Sequence, residues 1–148
     1  MLITHTLEAA APAPTVWQVI VDLARYPEWN PFVVDCRSTL VPGSPIVMRV
    51  RVLPFIAQPQ RETVFEYLPG RRLSYGLAPM PLDMLASRRA HEITPLAPDR
   101  ARYVSRFELT GWLSPLVRIL LGARLSAGFT AMSRALVARA EALHARRS

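Results

Sequence analysis

The last quarter of the chain constrains the fold more than any other segment, because it has the pattern of one long amphipathic helix. From Leu121 to Leu143 the apolar residues recur at steps of three or four, which is the spacing along one face of an α-helix. Ser114 is a favourable N-cap and Pro115 suits the first helical position, so the sequence predicts a helix over residues 114–147. A helix of roughly 48 Å needs a wide apolar surface to cover its stripe, and the preceding chain must supply that surface.

The preceding segments have the alternation of β-strands. Apolar and polar residues alternate with a period of two over the stretches 2–8, 32–40, 46–53, 61–68, 73–77, 88–94 and 101–110. Between the first two stretches, residues 15–24 have a helical pattern, and the prolines at 27 and 31 leave room for one more short helical turn. The sequence therefore predicts an α+β fold with two short helices after the first strand. One face of its antiparallel sheet is expected to be exposed to solvent, and the C-terminal helix is expected to cover the other face.

Length and composition limit the class of protein. The chain has 148 residues, of which 51% are hydrophobic and 20% are charged. These fractions are those of a globular chain, so we predict a single domain over residues 1–148. No apolar run approaches the ~20 residues of a membrane span, and the N-terminus lacks the pattern of a signal peptide. Cys36 is the only cysteine, so no intramolecular disulfide can form, and a cytoplasmic location is expected.

The positive charge of the chain comes from arginine alone. Eighteen arginines and no lysine stand against eleven acidic residues, which gives a net charge of +7. A basic surface can bind nucleic acid or anionic lipid, but no block of five like charges occurs in this sequence. We therefore expect a solvated, evenly charged surface, and we do not expect nucleic acid as a partner.

Several ordered segments carry a family resemblance. After the first strand come Ala-Pro-Ala-Pro-Thr-Val-Trp (11–17) and Arg-Tyr-Pro-Glu-Trp-Asn-Pro-Phe (25–32), and later Tyr-Leu-Pro-Gly-Arg-Arg-Leu (67–73). Glu-Leu-Thr-Gly-Trp-Leu-Ser-Pro-Leu (108–116) precedes Gly-Phe-Thr-Ala-Met-Ser-Arg-Ala-Leu (128–136). In this order the segments resemble the START-like (SRPBCC) superfamily and its polyketide cyclase/dehydrase-type branch. The resemblance implies one START-like ligand-binding domain with a helix-grip fold. In that fold a bent antiparallel sheet of about seven strands is wrapped around the long C-terminal helix, with an apolar cavity between them.

Side chains on the covered face of the sheet are the candidates for lining such a cavity. At each apolar position the alternative is plain core packing, but polar residues on the same faces, such as Thr63, favour a ligand site. Trp29 and Asn30, together with Pro31, are expected to close one end. The predicted partner is a hydrophobic small molecule, and the ligand-binding candidates are Trp29, Asn30, Phe32, Met48, Phe65, Tyr67, Tyr75, His91, Tyr103, Ser105, Phe107, Phe129 and Met132.

The sequence contains no established catalytic motif. It has no glycine-rich phosphate loop, no nucleophile elbow and no His-Glu-x-x-His motif, so no metal and no cofactor are expected. His91 is the histidine expected near the cavity, where a neutral ring can act as a base or a hydrogen-bond donor; the alternative is a satisfied core histidine. The catalytic candidates are therefore His91, Tyr75 and Tyr103.

Three functions remain open on this basis. The first is the binding or carriage of a lipid, quinone, polyketide or similar hydrophobic molecule. The second is a polyketide cyclase/aromatase-like enzyme, in which the three catalytic candidates would supply the polar groups. The third is a protein-interaction or quinone-chaperone module.

Two segments near the expected cavity mouth have unusual patterns. Residues 78–85 are apolar although they connect two strands, so we predict a lid over the mouth or a homodimer contact. Before Gly122 the helix is apolar on nearly all sides, and a straight helix would turn Arg118 towards its covered face. We therefore expect a kink near Gly122 and a separate flap over residues 112–121. The alternative is a straight helix whose first turns are buried by residues 78–85.

Overall fold

The computed structural model describes residues 1–53 and 55–147 and shows a sheet of seven antiparallel strands that curves around one long helix. The strands lie side by side in the order β1-β7-β6-β5-β4-β3-β2, so the first strand pairs with the last. Their bounds are β1 Leu2–Ala9, β2 Val33–Ser38, β3 Pro45–Leu53, β4 Ile56–Leu68, β5 Arg72–Gly76, β6 Ala86–Ala97 and β7 Arg100–Thr110.

Within residues 1–53 and 55–147, three α-helices complete the fold. Helix α1 (Ala13–Val21) and helix α2 (Tyr26–Trp29) lie between β1 and β2, and helix α3 (Ser114–Arg147) follows β7. Two short 3₁₀ turns, Leu23–Arg25 and Pro81–Asp83, lie in connecting segments. The predicted helix-grip architecture, with two short helices after the first strand, is confirmed.

Helix α3 covers the concave face of the sheet with the predicted apolar stripe. Leu125, Phe129, Met132, Leu136 and Ala140 are buried, and they follow one another at steps of three or four residues. Among residues 1–53 and 55–147, α3 is the one helix long and apolar enough to cross a membrane. Only 22% of its apolar window is buried, while burial of the stripe against the sheet accounts for the apolar residues of its second half.

The predicted kink at Gly122 is wrong, because α3 is one continuous helix from Ser114 to Arg147. The prediction assumed that the covered face continues to the start of the helix. Instead the first two turns extend past the packed core, and there only Val117 and Leu121 contact the interior. Arg118 is exposed without any kink. The alternative in which residues 78–85 bury these turns is wrong as well, since Ile119 is 75% exposed.

A β-bulge in β4 changes which residues of this strand face α3. The register with β5 shifts between Val64 and Glu66, so Phe65 is an extra residue without a partner. Before the bulge it is Glu62, not the expected Thr63, that faces the interior. Phe65 lies on the outer face, where the Arg88 guanidinium carbon is 4.9 Å from the centre of its ring. The prediction of Phe65 as an inward-facing residue is therefore wrong.

The connection over residues 78–85 is fixed to the start of α3. The Leu113 amide donates to the Met84 carbonyl at 3.0 Å, and the Trp112 indole Nε1 donates to the Leu82 carbonyl at 3.1 Å. Gly111 permits this approach, since its φ is +104° and a Cβ there would collide with the Met84 carbonyl. The β5–β6 connection and the β7–α3 connection therefore form one unit beside the N-terminal half of α3.

Candidate functional site

A cavity of about 360 Å³ lies between the sheet and the N-terminal half of α3. The buried residues of α3 begin at Leu125, and the cavity extends from there along the earlier turns, where Val117 and Leu121 line it. Its wall is mostly apolar and includes Phe32, Val33, Met48, Val50, Val52, Leu77, Leu85, Phe107, Leu109, Val117, Leu121, Leu125 and Phe129. Its polar wall groups are Gln58, Gln60, Arg61, Glu62, Tyr75, Ser87 and Arg89.

Five of the thirteen sequence-predicted binding residues line this cavity: Phe32, Met48, Tyr75, Phe107 and Phe129. The three phenylalanine rings form a contiguous aromatic wall. The Phe129 ring centre lies 5.0 Å from that of Phe32 and 4.7 Å from that of Phe107, in edge-on and tilted arrangements.

Four further candidates lie behind the cavity wall. His91, Tyr103, Ser105 and Met132 are buried, but none of them lines the cavity. The strand register explains this position. Tyr75, Arg89 and Phe107 are neighbours in one cross-strand row that reaches the cavity, whereas His91 and Ser105 belong to the next row, deeper in the core.

Trp29, Asn30 and Tyr67 lie outside the cavity and support its surroundings. The Asn30 side-chain oxygen accepts hydrogen bonds from the amides of Phe32 and Val33 at 3.0 and 2.9 Å, which fixes the chain where Phe32 enters the cavity wall. Trp29 packs edge-on against Tyr26, and Tyr67 packs against Trp17. The prediction that Trp29, Asn30 and Pro31 close one end of the cavity is wrong, since none of them lines it, and Asn30 acts only by fixing the chain at Phe32.

The three catalytic candidates form a buried hydrogen-bonded chain. The Tyr75 hydroxyl lies 3.2 Å from His91 Nε2, and the Tyr103 hydroxyl lies 2.7 Å from His91 Nδ1. Burial, reinforced by the nearby charge of Arg89, holds the pKa of His91 well below its usual value. A neutral ring has one N–H and one bare nitrogen, so it donates to one phenol and accepts from the other. Burial also raises the pKa of both tyrosines, so the chain is uncharged near neutrality.

Arg89 is a cavity residue that the sequence analysis missed. It is only 3% exposed, and its guanidinium carbon lies 4.6 Å from the centre of the Phe129 ring. Its Nη1 donates to the Ser105 hydroxyl and, at 3.5 Å, to the Arg106 carbonyl. The adjacent pair Arg88 and Arg89 in a strand could have indicated a buried arginine, because one of two neighbouring strand residues has to face inward.

Glu62 is the second missed cavity residue. Burial raises the pKa of its carboxyl to about 7, and the charge of Arg89 opposes this rise only in part. The polar alternation Gln58, Gln60, Glu62 in β4 identifies the row, but the predicted inward-facing residues Phe65 and Tyr67 favour the odd-numbered positions instead. Among residues 1–53 and 55–147, no group of three His, Cys, Asp or Glu side chains is placed to hold a metal ion.

A curved antiparallel sheet that grips one helix around a mostly apolar cavity defines a helix-grip protein with a ligand-binding fold. The chain belongs to the family described as polyketide cyclase / dehydrase and lipid transport, whose sequence model matches residues 2–144. The predicted START-like relationship and its polyketide cyclase-type branch are thereby confirmed. Comparison with curated proteins gives no significant match.

Solved structures with the same fold include proteins of several activities. The Zhui aromatase/cyclase from Streptomyces sp. R1128 is similar with a TM-score of 0.77 and 19% identity, over 95% of this chain and 93% of that chain. A START superfamily protein from Mycobacterium smegmatis has a TM-score of 0.71 and 23% identity, over 96% and 98%. Norcoclaurine synthase from Thalictrum flavum, solved with dopamine and hydroxybenzaldehyde, has a TM-score of 0.67 and 18% identity, over 93% and 84%. At these identities the likeness establishes the fold.

Proposed function

We propose that this protein binds and carries a hydrophobic small molecule, such as a lipid, quinone or polyketide, in the cavity between the sheet and α3. The observation that carries the proposal is the cavity itself, with about 360 Å³ of space and a wall of aromatic and aliphatic side chains. Small-molecule sites in proteins have this size, this apolar lining and a few polar groups that orient the ligand. A plain core would be filled by its own side chains to close-packed density.

The comparisons support this proposal at a coarser level. The family description includes lipid transport, and the norcoclaurine synthase structure contains two aromatic molecules. Proteins of this fold therefore include binders of apolar or aromatic molecules, and the cavity of the present chain has the composition that such a ligand requires.

Titration with Nile red, an uncharged apolar dye, tests the proposal. We expect saturable binding with enhanced fluorescence, and we expect Leu121→Trp to weaken it by about tenfold or more, because a larger ring at this wall position occupies the cavity. Ile119→Trp is the matched control, since this residue lies on the same helix but is exposed. Non-saturable binding to the wild type, or equal binding by the two variants, would argue against the proposal.

A cyclase/aromatase-like enzyme is the second candidate, because Tyr75, one end of the Tyr75–His91–Tyr103 chain, is part of the cavity wall. A neutral, hydrogen-bonded phenol can donate to a ligand carbonyl and stabilise an enol during ring closure. The test is turnover of a linear poly-β-ketone by the wild type and by Tyr75→Phe, which keeps the ring and removes the hydroxyl. Turnover lost in Tyr75→Phe with Nile red affinity unchanged would favour the enzyme. Binding without turnover in the wild type would favour the carrier.

A further inference from the structure

Arg89 is a buried cation that the described protein does not neutralise. Over residues 1–53 and 55–147, no carboxylate oxygen lies within 4 Å of its guanidinium nitrogens, although seven other arginine–carboxylate contacts are present. A charge removed from water without a counter-charge is costly, and proteins normally pair such a group. The guanidinium of Arg89 moreover remains charged at any physiological pH.

The groups that contact Arg89 are all neutral. They are the Ser105 hydroxyl, the Arg106 carbonyl, the Met132 sulfur at 3.6 Å from Nη2 and the face of the Phe129 ring. These contacts fix the orientation of the guanidinium, and the ring face partly offsets its charge. None of them supplies the negative charge that a planar guanidinium binds best.

Glu62 lies in the same cavity but does not act as the missing partner. Its carboxyl oxygens are more than 4 Å from the Arg89 nitrogens, since no such ion pair occurs in the part of the chain described here. The cavity wall therefore combines one buried positive charge without a counter-charge, an exposed arginine (Arg61), one separate acid and an otherwise mostly apolar surface. This combination matches an amphipathic ligand with a single acidic group.

We propose that the ligand of this cavity is a hydrophobic carboxylic acid whose carboxylate pairs with Arg89 while its apolar body lies against Phe32, Phe107 and Phe129. This inference rests on the proposed function and specifies the chemical class of the ligand. The guanidinium binds a carboxylate through two parallel N–H···O bonds, and the water-excluded wall strengthens them. A ligand that is neutral throughout leaves the buried charge without a partner.

Competition with Nile red for the cavity tests the proposal with two matched ligand pairs. The pairs are 2-naphthoate with 2-naphthamide and decanoate with decanol, measured near pH 6, where both acids are largely ionised. We expect the wild type to prefer each carboxylate over its neutral partner by roughly tenfold or more, as hydrogen bonds to charged groups imply.

Two substitutions of Arg89 separate charge from shape. Arg89→Met, which keeps a long unbranched side chain, should lose the carboxylate preference, so that each acid and its neutral partner bind within about twofold of each other. Arg89→Lys should retain part of the preference, since it keeps the charge but not the two-pronged geometry. Arg88→Gln is the control, because Arg88 is the neighbouring arginine on β6 but is exposed and does not line the cavity, so its loss should leave the preference nearly unchanged.

A measurement on the wild type alone covers the case in which the variants fail to fold. Decanoate labelled with ¹³C at its carboxyl should titrate at a lower pH in the complex than in water, because Arg89 stabilises the ionised form. Equal affinity of the wild type for acid and neutral ligands, a preference that survives in folded Arg89→Met, or an unshifted carboxyl titration would overturn the inference while the cavity remains a binding site. The absence of any saturable ligand, Nile red included, would instead overturn the proposed function.

Discussion

Glu62 is the residue whose environment predicts the clearest pH dependence of stability. Its folded pKa is about 7, whereas an unburied glutamate has an ordinary value of 4.5. Between these two values the folded protein retains a proton that the unfolded chain releases. Stability from this group is therefore complete below about pH 4.5 and is lost as the pH rises through about 7.

The substitution Glu62→Gln isolates this effect. Glutamine is neutral at every pH. The unfolding free energy of the variant minus that of the wild type should therefore rise by on the order of 1–3 kcal/mol from about pH 4.5 to about pH 8. Urea unfolding of both proteins at the two pH values measures it. The charged or titratable groups around Glu62 are Arg89 on β6, Tyr75 on β5 and Cys36 on β2, while β3 and α3 present apolar residues to the cavity.

His91 acts in the opposite direction but does not disturb the comparison. Its lowered pKa means that the unfolded chain takes up a proton first as the pH falls below about 6.5, so its contribution is lost on acidification. This loss is common to the wild type and to Glu62→Gln, and it cancels in their difference. A difference in unfolding free energy that stays constant from pH 4.5 to pH 8 would contradict the raised pKa of Glu62.

The individual polar residues of the site were only partly predictable from the sequence. Tyr75 and His91 stand out because they are polar residues on strands with an apolar inward face, and they do lie together. Arg89 did not stand out, because arginine is expected in solvent and no local pattern distinguishes it from Arg88. Arg88 and Arg89 point to opposite faces of β6, and which of the two faces α3 depends on the register of the whole sheet.

At the scale of elements, the strands were predictable and their irregularities were not. Period-two alternation places all seven strands, since one face of each is apolar. The bulge at Phe65 has no such basis: an extra residue in β4 reverses the alternation, and no turn residue marks it. In α3, continuity through Gly122 depends on how far the helix extends past the packed core, which is a tertiary property.

The two glycines in the first half of α3 have different surroundings. Gly122 has room for a Cβ, which would make ordinary contacts with the flexible Arg118 side chain at 3.4 Å and the Met1 sulfur at 3.9 Å. Gly128 lies directly against Phe32, and a Cβ at this position would overlap the ring. Phe32 in turn lines the cavity, so Gly128 permits the close approach that shapes the aromatic wall.

The same substitution at these two glycines should therefore have opposite effects. Gly122→Ala should stabilise the protein by up to about 1 kcal/mol through helix propensity. Gly128→Ala gains the same propensity but must displace Phe32, and we expect a net destabilisation of about 1–3 kcal/mol together with weaker Nile red binding. Urea unfolding and dye titration of the pair provide the measurement. Equal stabilisation by both alanines would show that Phe32 does not pack on the helix backbone as described.

At the scale of the whole molecule, a large apolar surface lies beside the cavity mouth. We call it the mouth surface and define it by Leu82, Trp112, Leu116, Ile119 and Leu120, each more than half exposed. Leu82 and Trp112 are joined by the indole hydrogen bond, so the β5–β6 connection and the first turns of α3 contribute to one face. Contiguous exposed apolar surface on a folded chain usually marks a contact.

The homodimer predicted from the sequence stays a prediction, and the mouth surface is where two copies would meet. A two-fold dimer needs one patch that is complementary to itself, and a flat apolar face meets this condition. The net charge of +7 opposes self-association, so a dimer held by this face should strengthen as salt screens the repulsion. Analytical ultracentrifugation should then show a sedimentation coefficient that rises with protein concentration and rises further at high salt.

Two matched substitutions decide whether the mouth surface is responsible for this association. Ile119→Arg places a charge at its centre and should abolish the association, whereas Leu68→Arg, at an exposed apolar residue outside the mouth surface, should not. A monomer at every concentration and salt would refute the dimer. In that case the remaining alternative for residues 78–85 is a lid over the cavity mouth. A lid predicts that bound Nile red slows hydrogen exchange in these residues. Ligand-dependent protection is the distinguishing result, because a dimer contact protects these residues in proportion to protein concentration, whether or not the cavity is occupied.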